Sequence, residues 1–126
     1  MKKLFFNTIL LTIILLGCDY TFDDTYYIEN QTNKKVMLLY CLIDKNQIDT
    51  LFVLPYNKEM IYNAHSAGGR KQYIVPVKNI FETFKIFQDS ILSTYDYFND
   101  NNWKYKSTSE TTATYIIIID SNHFKY

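Results

Sequence analysis

The sequence predicts an all-β fold, an antiparallel sandwich of about seven short strands. Three observations point there. Aromatic residues make up 17% of the chain, with twelve tyrosines and nine phenylalanines, and Tyr, Phe, Ile and Thr favour pleated, half-buried surfaces. Glycine and proline are scarce, at three and two, so Asn, Asp and Lys supply the turns between apolar runs. Those turns recur roughly every 8–12 residues, the spacing of a sandwich rather than of βαβ units.

The fold begins only after an N-terminal segment of another kind. Lys2 and Lys3 precede Leu4–Leu16, thirteen residues in which only Asn7, Thr8 and Thr12 are polar. That is the charge and length of a signal-peptide core, well short of the roughly 20 apolar residues that span a bilayer. Leu15-Leu16-Gly17-Cys18 then reads as a lipobox: the peptidase needs a small side chain at Gly17, and the Cys18 thiol accepts a diacylglyceryl group. A plain secretory signal, with Cys18 free for a disulfide to Cys41, is the weaker reading because charge, length and L-L-G-C agree. Residues 1–17 are therefore expected to be a cleaved signal, and Cys18 to carry lipid. An anchor of more than one acyl chain is stable, at about 0.8 kcal/mol per buried methylene.

Removing residues 1–17 leaves 109 residues, enough for one domain and too few for two. It also moves the charge count from 13 basic against 13 acidic to 11 against 13, a net charge of −2. That argues against a nucleic-acid partner, which needs a clustered positive surface, and leaves membrane attachment to the lipid. With Cys18 lipidated, Cys41 is alone; its neighbours Leu39, Tyr40, Leu42 and Ile43 make it a buried small hydrophobe rather than a reactive thiol. His65 and His123 lie far apart and neither stands at i+4 from another ligand, so no metal or other cofactor is expected.

Residues 18–24 are short and acidic and read as a mobile tether, with 25–126 as one domain. Thr25–Glu29 alternates and forms a first strand, followed by the Asn30–Lys34 turn. In Lys35–Ile43, Val36, Leu38, Tyr40 and Leu42 share one face and Met37, Leu39, Cys41 and Ile43 the other. A strand apolar on both faces is central. Ile48–Leu54 ends at Pro55, Pro55–Lys58 turns, and Lys58–Asn63 completes an expected hairpin.

Ser66–Arg70 holds the glycine pair Gly68-Gly69 and opens an irregular segment to about Asn79. Adjacent glycines and Arg70 would suit an anion loop. Without a G-K-[ST] or G-x-G-x-x-G pattern, a plain crossover between sheets is favoured. In 79–95, Ile80, Phe81, Phe84 and Phe87 fall at helical spacing. Phe84–Phe87, Gln88-Asp89 and Ser90–Leu92 also read as strand, turn, strand, which the β-rich context favours. Asp96–Thr112 is polar around Trp103. Ala113–Asp120 closes the domain, and its Ile116–Ile119 run must be central and covered.

Tyr26-Tyr27-Ile28-Glu29-Asn30-Gln31-Thr32-Asn33-Lys34 after a lipobox resembles the opening of small lipoproteins of Bacteroidetes-type bacteria, which begin with a Y-x-I-x-N-x-(S/T) strand and turn. The likeness continues through Leu54-Pro55 before a Lys-Glu strand, a glycine-containing loop and the terminal strand Ala113–Asp120. It implies a compact immunoglobulin-like sandwich, without known activity, at the outer membrane or cell surface. Asp19, Asp23 and Asp24 are compatible with the acidic export signals of that group. The resemblance transfers no site residues.

The function these readings lead to is a lipid-anchored cell-envelope protein. It would act as a non-enzymatic interaction or accessory module with a protein or glycan partner. The alternative is a glycan-binding module in which Trp103, Tyr95, Tyr97 and Tyr105 form an aromatic platform for sugar rings. Against the platform, a single Trp in a small domain more often plugs one end of the core with its N–H bonded to backbone. Catalysis is not expected. The carboxylate pairs Asp23/Asp24 and Glu82/Asp89 are not set across a cleft by anything in the sequence, and there is no Ser, His and Asp constellation.

Overall fold

The computed structural model describes residues 21–67 and 74–125. Eight strands form among them: β1 (Thr21–Asn30), β2 (Val36–Leu42), β3 (Asp49–Val53), β4 (Lys58–Ala67), β5 (Phe81–Gln88), β6 (Ile91–Leu92), β7 (Trp103–Ser107) and β8 (Thr112–Ile119). They make two four-stranded sheets, in the orders β4-β1-β8-β7 and β3-β2-β5-β6. The inner faces pack on each other. Tyr26, Ile28, Tyr115, Ile117 and Ile119 of the first sheet share one core with Val36, Leu38, Phe81, Phe84 and Ile86 of the second.

The sandwich is not purely antiparallel. β1 pairs in parallel with β8, from Asp23↔Thr112 to Asn30↔Ile119, while every other pair is antiparallel. A hairpin forces antiparallel pairing, but β1 and β8 are separated by the whole second sheet, so either direction is open to them. The strand order also departs from the immunoglobulin arrangement, in which the first two strands are neighbours in one sheet. Here β1 and β2 lie in different sheets.

β1 starts four residues earlier than its alternation suggests. Thr21–Asp24 pair with β4, in the register Thr21↔Ala67 to Asp24↔Ala64, so they belong to the sheet and not to a tether. A bulge on β4 opposite Tyr26/Tyr27 turns two consecutive side chains, Ile61 and Tyr62, toward the core. β2 and β8 are central as expected, and Ile117 and Ile119 are fully buried.

The expected β3–β4 hairpin does not form. The turn at Pro55–Asn57 exists, with Tyr56 at φ 59°, but it carries the chain from one sheet to the other. The reason is Asn30, fully buried at the end of β1. Its Nδ2 donates to Val53 O (3.1 Å) and Leu54 O (3.1 Å), and also to Lys34 O (2.7 Å). Its Oδ1 accepts from Thr32 N (3.0 Å) and Thr32 Oγ1 (2.8 Å). One amide thus fastens the end of β3 to the end of β1, and β4 continues from there alongside β1. Tyr26, Ile28, Asn30 and Thr32 are all buried, so the Y-x-I-x-N-x-T motif is a folding device.

The hairpin reading of 79–95 holds, with two shifts. β5 begins at Phe81, and the turn is Asp89-Ser90, both at positive φ (48° and 68°). Gln88↔Ile91 closes the two-residue loop, the primed turn whose twist suits a hairpin. The eighth strand, β7, comes from the polar segment. It is an edge strand on β8 with Lys104 and Lys106 exposed, as an edge requires.

Candidate functional site

β7 enters the sandwich at Trp103, which is 6% exposed. Its indole lies against Phe81 (centroids 6.2 Å, stacked), with Phe84 (5.5 Å) and Tyr26 (6.0 Å) edge-on. Nε1 donates to Tyr97 O at 2.8 Å. Trp103 is therefore the core plug, its polar handle spent on the chain that leads into β7.

The other aromatics singled out in the sequence are dispersed around it. Tyr97 is buried, with its hydroxyl 2.6 Å from Ser93 Oγ. Tyr95 is at the surface, stacked on the His123 imidazole at 3.9 Å. Tyr105 is half exposed and packs edge-on against Tyr115 at 5.2 Å. The structure does not bring Trp103, Tyr95, Tyr97 and Tyr105 onto one exposed platform, because two of the four are needed inside. Gly17 and Cys18 lie outside the described residues, as do Gly68, Gly69 and Arg70.

A cleft of about 270 Å³ opens where β7 meets the crossover into β5. Trp103, Tyr115 and Val77 form its apolar wall; Tyr105, Asp100, Asn101 and Ile74 stand around them. Two hydrogen bonds fix the crossover. Val75 N donates to Tyr115 Oη (3.1 Å), and Val77 N donates to Asp100 Oδ1 (2.7 Å). Burial pushes the Tyr115 phenol up to about 12, partly offset by the Val75 bond, with the charges of Asp24, Tyr105 and Asp100 adding to the rise. It stays neutral at physiological pH and can both accept and donate. Behind it, stacked at 4.6 Å, Tyr26 carries a buried hydroxyl without a hydrogen-bond partner among the described residues. Burial above all, with neighbouring Tyr115 and Asp24, raises that phenol far above its usual range.

Sequence reasoning reached Trp103 and Tyr105 but missed Asp100, Asn101 and Tyr115. Tyr115 reads as one more inward residue of an alternating strand. Asp100 and Asn101 sit in an Asn-rich run where any polar residue looks like turn chemistry, and only the tertiary fold sets them opposite Val77.

The carboxylate pairs do not meet. Asp24 is buried on the inner side of β1, while Asp23 faces out and pairs with exposed His65 on β4. Glu82 and Asp89 stand near opposite ends of β5, about 20 Å apart at a strand's rise. Cys41 is buried, its Sγ 2.8 Å from Lys45 O and 3.7 Å from Glu82 Oε2. Burial and the Glu82 carboxylate push its thiol up, away from the thiolate that reactivity needs. Among the described residues no group of three His, Cys, Asp or Glu is placed to hold a metal ion, and no helix is long and apolar enough to cross a membrane.

Comparison with known proteins finds no matching family model, no matching curated protein and no matching solved structure.

Proposed function

We propose that this chain is a cell-envelope lipoprotein of the outer membrane, held through lipid on Cys18, whose β-sandwich serves as a non-enzymatic interaction module. The observation that carries the reading is the junction. A lipobox ends at Cys18 and a rigid strand begins at Thr21, so lipid and folded domain are joined almost without a spacer. The likeness to the opening of small Bacteroidetes-type lipoproteins belongs to the same reading, and the buried unit Tyr26, Ile28, Asn30 and Thr32 gives its motif a structural purpose. The test is Cys18→Ala. The expected result is loss of the acyl mass and a shift of the protein from the membrane to the soluble fraction; unchanged mass and unchanged fractionation would overturn the anchor.

A second reading rests on the cleft. Tyr105 offers a ring face beside Asp100 and Asn101, the combination that stacks on a sugar and bonds its hydroxyls. Trp103 serves here as a wall. A glycan array with wild type and Tyr105→Ala decides it: binding that disappears at unchanged melting temperature supports the site, and an array blank for wild type removes it.

A further inference from the structure

The two ends of the sandwich differ, and the start of β1 tells them apart. β1 runs from Thr21 at one end to Asn30 at the other. At the Thr21 end lie Ala67 of β4, the Thr108–Thr111 turn between β7 and β8, the Asp44–Ile48 loop between β2 and β3, and Ile80, whose carbonyl accepts from Ile43 N. Two of these loop positions expose isoleucine: Ile43 (47%) and Ile48 (62%). Ile43 and Ile48 flank one loop, whose neighbouring charges Asp44 and Lys45 offset each other.

Two residues, Asp19 and Tyr20, separate Cys18 from Thr21. Whatever their conformation, they span no more than about 10 Å. β1 alone is about 33 Å long at a strand's rise, so a lipid on Cys18 cannot reach round to present the Asn30 end, where Leu54 and Tyr56 are exposed. The tether holds the isoleucine end at the headgroups, within reach of an apolar side chain.

From this juxtaposition we infer that the sandwich docks end-on to the bilayer, with Ile43 and Ile48 entering the headgroup–acyl boundary. The occupant of this apolar end is lipid. The inference rests on the proposed anchor at Cys18 and goes beyond it, because a lipid on a long tether would fix no orientation. Short apolar loops add buried area to the acyl chains, and they leave the Asn30 end, with its Tyr56 turn and the Lys34–Asp89 pair, facing outward.

The test uses the lipidated protein in phosphatidylcholine vesicles with brominated acyl chains. A fluorophore sensitive to its surroundings is attached through Ile48→Cys or, as the control at the far end, Tyr56→Cys. Buried Cys41 is spared from labelling. Intact mass first establishes acylation of Cys18. The expected result is strong quenching at position 48, at least threefold that at position 56, with a blue-shifted emission. Equal quenching at both positions on an acylated protein overturns the docking and leaves the anchor standing. An unacylated protein overturns both. As a second measurement, amide exchange in residues 44–48 of the unlabelled protein should slow at least fivefold on vesicles relative to detergent. Unchanged exchange argues the same way as equal quenching.

Discussion

Trp103 shows how a residue that looks like a ligand platform becomes a structural one. Its ring fills the space between Phe81, Phe84 and Tyr26, and its N–H is satisfied by Tyr97 O. Trp103→Ala should therefore cost about 3–5 kcal/mol in chemical denaturation, with any sugar binding lost only in proportion to unfolding. In the wild type the tryptophan emission should be blue-shifted and poorly quenched by iodide. His123 makes a second prediction. Its imidazole is buried against Tyr95 and Tyr97, and burial lowers its pKa from 6.5 despite the nearby Asp120. The unfolded chain then takes up a proton that the folded state refuses, so this contribution is full above pH 6.5 and fades as pH falls through 6.5 toward the lowered value. Denaturation midpoints should drop between pH 7 and pH 5, and His123→Phe should flatten that slope.

At the scale of single elements, the turns carry the specificity. Asp89 and Ser90 both sit at positive φ in the β5–β6 loop, a conformation that costs a side-chain-bearing residue about 1–2 kcal/mol. Ser90→Gly should raise the melting temperature by several degrees, read by calorimetry, because Asp-Gly is the preferred pair for this turn. The Asn30 corner works in the opposite direction. Asn30→Ala takes the amide donor from Val53 O, while Leu54 O keeps Asn57 N and Lys34 O keeps Thr32 Oγ1, so the expected cost is about 1–3 kcal/mol. A melting temperature within a degree of wild type would show that the corner holds without this amide.

For the whole molecule, the parallel β1–β8 pair is the seam. It joins the two ends of the domain at the centre of the first sheet, and every other element is threaded between them. Amides of β1 and β8 should exchange slowest and those of β6 and residues 93–102 fastest, as measured by native-state hydrogen exchange. Uniform protection across both regions would deny the seam this role. The same seam sets the polarity of the molecule, since it places the start of β1 at the isoleucine end.

Much of this was legible in the chain. Alternation found β2, β3 and β8, identified the central strands, and placed the β5–β6 hairpin. Those readings depend on a strand's two-residue period and on local turn chemistry, both of which a short window contains. The same local view put Trp103 in the core, because one large ring in a small domain has few other places to go. Three things were out of its reach. Thr21–Asp24 look like a charged tether until β4 lies beside them. β3 and β4 look like a hairpin until Asn30, more than twenty residues earlier, ties the corner across the sheets. Asp100 and Tyr115 look like turn and strand filler until Val75 and Val77 dock on them. By itself the sequence determined the all-β class and the central strands. Only the tertiary structure decided the parallel closure, the cleft and the end of the sandwich that follows Cys18, because each depends on partners distant in the chain whose pairing no local pattern encodes.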